Sequence, residues 1–238
     1  MFSIRKEQMT SRAEIIRQLK AKAMPANLEG MARFGITVEK RLGVSVPEMR
    51  RIGRKIGRNH DLAASLWKTG IAEARIVASM IAAPEEMSAK DMDAWVIGID
   101  SWDVCDQVCM NLFEKTPFVR QKIAEWSDRG EEFVKRAAFA LIAGLAWHDK
   151  QAPDQNYMQF LQVIKHGATD ERNFVKKAVN WALRNIGKRN ARLNKATIKT
   201  ARELQRMDSK AARWIAADAI RELEGAGVQR RLTQRNDR

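Results

Sequence analysis

The chain has 238 residues, of which 45% are apolar and 30% charged, the balance of a folded globular protein and not of a disordered one. Its 43 lysines and arginines outnumber 29 aspartates and glutamates, a formal net charge of +14, so the expected partner is a polyanion. Nucleic acid fits best, because phosphate neutralisation supplies most nonspecific affinity, whereas cations spread over many segments disfavour a membrane surface.

From Met1 to Lys20, charges alternate with Ile and Leu, without the apolar run and small-residue cleavage site of a leader, so a cytoplasmic location is expected. Downstream, segments rich in Ala, Leu, Met, Arg, Lys and Glu carry apolar spacings of three and four, and alternating Val, Ile and Thr are scarce. The predicted class is all-α. Pro25, Pro47, Pro84, Pro117 and Pro153 are spaced so as to punctuate helices. Ser45-Val46-Pro47-Glu48 has the pattern of a capping box, with Pro in the first turn where a missing N–H costs little.

Next along the chain, Ser101-Trp102-Asp103-Val104-Cys105-Asp106 places Trp102 and Asp106 one helical turn apart on one face. A carboxylate beside an indole suits stabilisation of a cationic, oxocarbenium-like sugar or orientation of a water. The plainer alternative makes Trp102 a core anchor and Asp103 or Asp106 a helix-start or salt-bridging residue. Cys105 and Cys109, four apart, share a helix face without disulfide geometry and are expected as reduced, partly buried thiols. His60, His148 and His166 are isolated from them and from one another, so no metal site is expected.

The helices that follow repeat one another. Phe133-Val134-Lys135-Arg136-Ala137 returns 41 residues later as Phe174-Val175-Lys176-Lys177-Ala178, and both open Ala-rich apolar helices. Lys177-Ala178-Val179-Asn180-Trp181 returns 33 residues later as Lys210-Ala211-Ala212-Arg213-Trp214, and Ile71 to Ala78 is a weaker copy. The apolar run from Ala137 to Trp147 is far short of the roughly 20 residues of a membrane helix. Such periods predict an α-solenoid of HEAT-like two-helix repeats, forming a curved, basic concave groove. Similarity of Ala-rich helices by composition alone is the alternative, but packing gives no reason to keep a cation at one repeat phase.

Lys177, Trp181, Arg184 and Lys188, spaced four, three and four, line one face of a helix, where cations and a ring could meet phosphates and a sugar or base. Equally, Trp181 could pack in the core while the cations snorkel. After Gly225-Ala226-Gly227, read as a helix end, residues 226–238 are expected as a flexible basic tail, leaving residues 1–225 as one domain. No P-loop, nucleophile elbow, H-E-x-x-H or kinase-like Gly loop occurs.

Several of these segments together resemble the AlkD family of DNA glycosylases. Leu42-Gly43-Val44-Ser45-Val46-Pro47 with Arg50 is similar to the family's L-G-[IV]-x-x-P-x-x-R, Ser101 to Asp106 to its S-W-D-x-x-D, and Phe133 to Ala138 to its Q/K-R-A-A helix. Phe174 to Arg184 resembles F-[VI]-x-K-A-[IV]-x-W-x-L-R, the most specific of the set, and the likeness runs from about Met31 to about Leu223.

The resemblance implies a cofactor-free glycosylase that acts on N3- or N7-alkylated purines in duplex DNA. It makes Asp106 the catalytic carboxylate, Trp102 and Trp181 contacts to the deoxyribose, and Arg136 the holder of a nearby phosphate. Phe34 falls at a DNA-contacting position where the family more often shows Tyr, whose hydroxyl is missing here. Such an enzyme is expected to leave the lesion stacked, and a solenoid with polar terminal units, which need not associate, is expected to be a monomer. Two other functions fit the same residues: a noncatalytic DNA-binding solenoid, or a helical scaffold for RNA or an acidic protein.

Overall fold

The computed structural model describes residues 11–236, with side chains through residue 234. The first ten residues of the segment read for a leader, and the last two of the expected tail, lie outside this range. Among the described residues there are fourteen α-helices and one short 3-10 turn and no strands, as expected of an all-α chain. None of these helices is long and apolar enough to cross a membrane. The chain divides into two compact units, with the boundary between Met87 and Ser88.

The first unit contains α1 (Arg12–Ala21), α2 (Ala26–Arg33), α3 (Val46–Ile56), α4 (His60–Trp67) and α5 (Ala72–Ile81). Helix α5 is its centre, packed on α1, α3 and α4 through Ile76, Val77 and Ile81, all of which are buried. Helix α3 begins where the Ser45 pattern places it, with Pro47 in its first turn, but the capping box does not form. Glu48 turns to Arg51, accepting hydrogen bonds of 3.0 and 2.6 Å, and to Lys22 at 3.5 Å. A two-point ion pair outcompetes one backbone cap. Before α3 the chain turns at Gly43, whose φ of +75° and closeness to the Met24 carbonyl admit no Cβ. Buried Glu73 fastens this turn by accepting from the backbone N–H groups of Leu42 and Gly43 at 3.0 and 2.8 Å.

The second unit contains α6 (Ala89–Ile97), α7 (Trp102–Asn111), the 3-10 turn Phe113–Lys115, α8 (Val119–Ser127), α9 (Glu132–His148), α10 (Asp154–Gly167), α11 (Asn173–Gly187), α12 (Ala191–Gln205), α13 (Lys210–Leu223) and α14 (Ala226–Asn236). A capping box does form here, between Ser88 and Asp91 at the start of α6. Asn190 and Ser209 cap α12 and α13 through backbone N–H groups at 2.8 and 3.1 Å.

Contacts between neighbours arrange these helices in two layers. One holds α7, α9, α11 and α13 side by side; the other holds α8, α10 and α12. The repeat copies therefore mark successive helices of one layer. Alanines make this possible: Ala137, Ala140, Ala178 and Ala182 are wholly buried, and small side chains let helix axes approach closely. Gly167 plays the same part in α10, where any Cβ would strike the ring of Phe139 in α9. The stretch expected as a flexible tail is helical over Ala226–Asn236, because Val228 and Leu232, four apart, bury themselves and draw that turn onto α12 and α13.

Candidate nucleic-acid interface

The N-terminus of α7 presents the first group of candidate residues. Buried Ser101 leads into the helix, but its hydroxyl donates to Asp103 and does not cap the backbone. Trp102 is then the first helical residue and Asp106 lies one turn on. Both are half-buried.

Asp106 is held by the next helix of the layer. Arg136 Nε donates to its Oδ1 at 3.1 Å, and Nη2 reaches Oδ1 and Oδ2, each at 2.9 Å. The third guanidinium nitrogen, Nη1, donates to the Phe174 carbonyl at the start of α11, at 2.6 Å. One polar chain thus ties α7 to α9 and α9 to α11. The guanidinium carbon also lies 5.9 Å from the Trp102 ring centroid. The rings of Phe133 and Phe174 stack with centroids 5.7 Å apart, so equivalent residues of two repeats touch.

Exposure differs within the pair: the Arg136 side chain is 6% exposed and that of Asp106 17%. The Asp106 side chain is thus the more accessible of the two. Burial pushes the Asp106 carboxyl above its ordinary value, and Arg136 works against that shift without cancelling it. Burial acts oppositely on Arg136, but Asp106 more than compensates and holds the guanidinium above its ordinary value. Arg136 is therefore not the free surface cation that a phosphate contact alone would need. Cys105 and Cys109, on the same helix as Asp106, are free and fully buried, with Sγ atoms 3.8 and 3.7 Å from the carbonyls of Phe133 and Ala137.

Helix α11 carries the second group. Lys177 is exposed and Trp181 half-buried, and Trp181 lies two turns on from Phe174 on the same face. The next two cations look elsewhere. Arg184 pairs with Glu222 of α13 at 2.5 Å and lies 3.6 Å from Asp218, while Lys188 reaches Glu222 at 2.8 Å. Asn180 adds a hydrogen bond of 2.7 Å to Asp218. Arg184 and Lys188, expected from sequence to meet phosphate, here pair with Glu222 and join α11 to α13. Asp218 and Glu222 were not singled out from sequence, although their i,i+4 spacing matches that of Asn180 and Arg184 at an offset of 38 residues.

A second cluster missed from sequence anchors the start of α11. Asp170 accepts from the backbone and side chain of Arg172, at 3.1, 2.9 and 2.6 Å, and pairs with Lys135 of α9 at 3.2 Å. Burial alone would raise its carboxyl, but these partners bring it down to about 2. In the first unit, Phe34 ends α2 with its side chain 75% exposed, a ring without the hydroxyl of a tyrosine. Among the described residues, no group of three or more His, Cys, Asp or Glu is placed to hold a metal ion.

With this geometry in view, the comparisons with known proteins are specific. A family model described as DNA alkylation repair enzyme matches residues 15–223. No curated protein matches the chain. One similar solved structure is described as a new family of proteins related to the HEAT-like repeat DNA glycosylases with affinity for branched DNA structures. It covers 89% of this chain and 95% of its own, with a TM-score of 0.73 and 21% identity. A designed armadillo repeat protein covers 74% of this chain and 92% of its own, with a TM-score of 0.34 and 16% identity. The first likeness shows the fold to be a HEAT-like stack of helical repeats.

Proposed function

The chain belongs to the family of DNA alkylation repair enzymes, and from that membership we propose that it is a DNA glycosylase, hydrolysing the N-glycosidic bond of N3- or N7-alkylated purines in duplex DNA. The observation that carries this reading is the Asp106 carboxylate: 17% exposed, one turn from Trp102, and oriented by two guanidinium nitrogens of Arg136. Its side chain is held in place by Arg136 and remains partly exposed.

Such a charge matches what the reaction lacks. A purine alkylated at N3 or N7 is already cationic, so when the C1′–N bond breaks its electrons go to the base, which leaves neutral without a general acid. Positive charge then develops on the deoxyribose, and a carboxylate already in position stabilises it without reorganisation. Water attacks C1′ and Asp106 accepts its proton. In this scheme Trp102 and Trp181 face the sugar, their rings adding to the field felt by the cation. Lys177 meets the DNA backbone. A phosphate drawn to Arg136 would share the guanidinium with Asp106 and release carboxylate charge toward the sugar. Arg184 and Lys188 serve by positioning α11. The protein acts in the cytoplasm as a monomer without a cofactor, and light scattering checks the oligomeric state.

The deciding experiment measures free 7-methylguanine and 3-methyladenine released from methylated duplex DNA. Asp106→Asn is expected to lower release by about 100-fold or more while leaving DNA affinity within a few-fold. A second reading is favoured by the ion pair itself, because a carboxylate tied to Arg136 is a weaker cation stabiliser, and by the affinity for branched DNA described for the similar structure. In that reading the protein recognises unusual DNA without breaking a bond. Tight binding with no base released by the unsubstituted protein would select it.

A further inference from the structure

Helix α12 has two unlike faces. Leu193, Thr197, Ala201 and Leu204 are buried, and the helix packs on α10, α11 and α13. The opposite face carries Arg192, Lys195, Lys199 and Arg202, with Arg206 at the C-terminal cap, spaced three, four, three and four, and all five are exposed. Spacings of three and four align them in one stripe.

The pairing of these cations differs from that at the candidate site. Arg136, Arg184 and Lys188 all meet carboxylates of their own chain. On α12, Arg202 pairs with Glu224 at 2.9 Å and Arg192 approaches Asp154 only to 4.0 Å. Among the described residues, Lys195, Lys199 and Arg206 have no carboxylate within 4.0 Å. Along the stripe runs a cleft of about 900 Å³, bordered by Lys195, Lys199, Arg206 and Gln229 and also by Glu203 and Glu224, two carboxylates already paired with Lys165 and Arg202. Three unpaired cations along an open cleft are poised for an external anion.

The anion they fit is an extended one. Arg206 lies fourteen residues on from Arg192, a rise of about 21 Å, against about 3.4 Å of duplex axis per phosphate of one strand. The stripe therefore spans about six base steps of a duplex and reaches the several backbone phosphates that face it. It also belongs to the other layer. Asp106, Arg136 and Trp181 stand on α7, α9 and α11, whereas α12 turns its buried face toward that layer and its cations away from it. One short straight duplex cannot lie on both.

We propose that the exposed face of α12 is a second phosphate-binding surface, which grips the backbone of a further duplex segment while the first segment lies against α7, α9 and α11. The occupancy of that first face rests on the reading given under Proposed function. Two duplex segments leaving one protein are what a four-way junction or a sharply bent duplex offers.

The test uses the full chain carrying Lys195→Glu, Lys199→Glu and Arg206→Glu together, with a second variant in which the same three residues become Gln. Binding to a synthetic four-way DNA junction and to a short linear duplex is measured over a series of salt concentrations. For both variants the slope of log K against log salt on the junction is expected to fall in magnitude by about 3, near 0.9 per lost phosphate contact. Junction affinity is expected to fall at least 10-fold, with melting temperature unchanged and short-duplex affinity much less affected. Equal slopes for the variants and the unsubstituted protein would overturn the proposal, as would a loss confined to single-stranded RNA or to an acidic polypeptide. The readout is binding and needs no base release, so a failed glycosylase reading and a failed second surface give different results.

Discussion

Asp106 is subject to two opposed influences, and their balance has a measurable sign. Burial disfavours the charged carboxylate and Arg136 favours it, with burial ahead, so the group takes up its proton at a higher pH than an ordinary aspartate. If the ionised form does the chemistry, base release falls as pH drops through that raised value. The acid limb of kcat/KM is expected above the usual aspartate range of about 3.9. A limb at or below that range would remove Asp106 from the reacting group. The Trp102 and Asp106 pairing was legible in sequence because i,i+4 neighbours are local. Its partner Arg136 was legible as a repeated cation and, through the family resemblance, as a phosphate holder, but an offset of 30 residues says nothing of the carboxylate that the guanidinium faces. The same limit explains Arg184 and Lys188: spacing shows which face they share, but not that Glu222 of α13 waits opposite.

At the level of elements, α11 is held at its start by Asp170, which joins Arg172 and Lys135 and is brought down to about 2. A depressed carboxyl stabilises the fold above the ordinary value of 3.8 and loses that contribution as pH falls from there to about 2. Asp170→Asn keeps an oxygen to accept from the backbone but loses the charge. Discounted for the part-exposed Arg172, the cost is about 1 kcal/mol at neutral pH. The variant's deficit in urea unfolding should vanish at the acid end, and a deficit independent of pH would contradict this origin. Helix positions were largely legible, because apolar periods of three and four and the spacing of prolines are local signals. The Ser45 capping box was not, since Arg51 and Lys22 compete for Glu48 through contacts that the four-residue pattern does not contain. The helix over Ala226–Asn236 escaped notice for a like reason: in a segment this basic, only Val228 and Leu232 mark the buried side.

Across the whole molecule, the repeats disclosed the stacked architecture, because the copies at Phe133, Phe174 and Lys210 open α9, α11 and α13 of one layer. They did not disclose the division near Met87, which depends on where contacts are dense and not on any residue pattern. Residues 88–238 contain the capping box of α6, both helical layers and the polar chain from Asp106 to Phe174. A unit of about 150 residues buries enough surface to fold alone. Produced by itself, this segment is expected to show helical circular dichroism and one cooperative melt, and a broad, noncooperative melt would refute its independence. Finally, the thiols on α7 bear on the molecule's own survival. The activity proposed above would place the protein among the electrophiles that alkylate DNA, and thiolates are the nucleophilic form of cysteine. Cys105 and Cys109 are sealed from solvent, and burial lifts the Cys109 thiol well above its ordinary value, so it offers almost no thiolate. Alkylating agents would find little on α7 to react with.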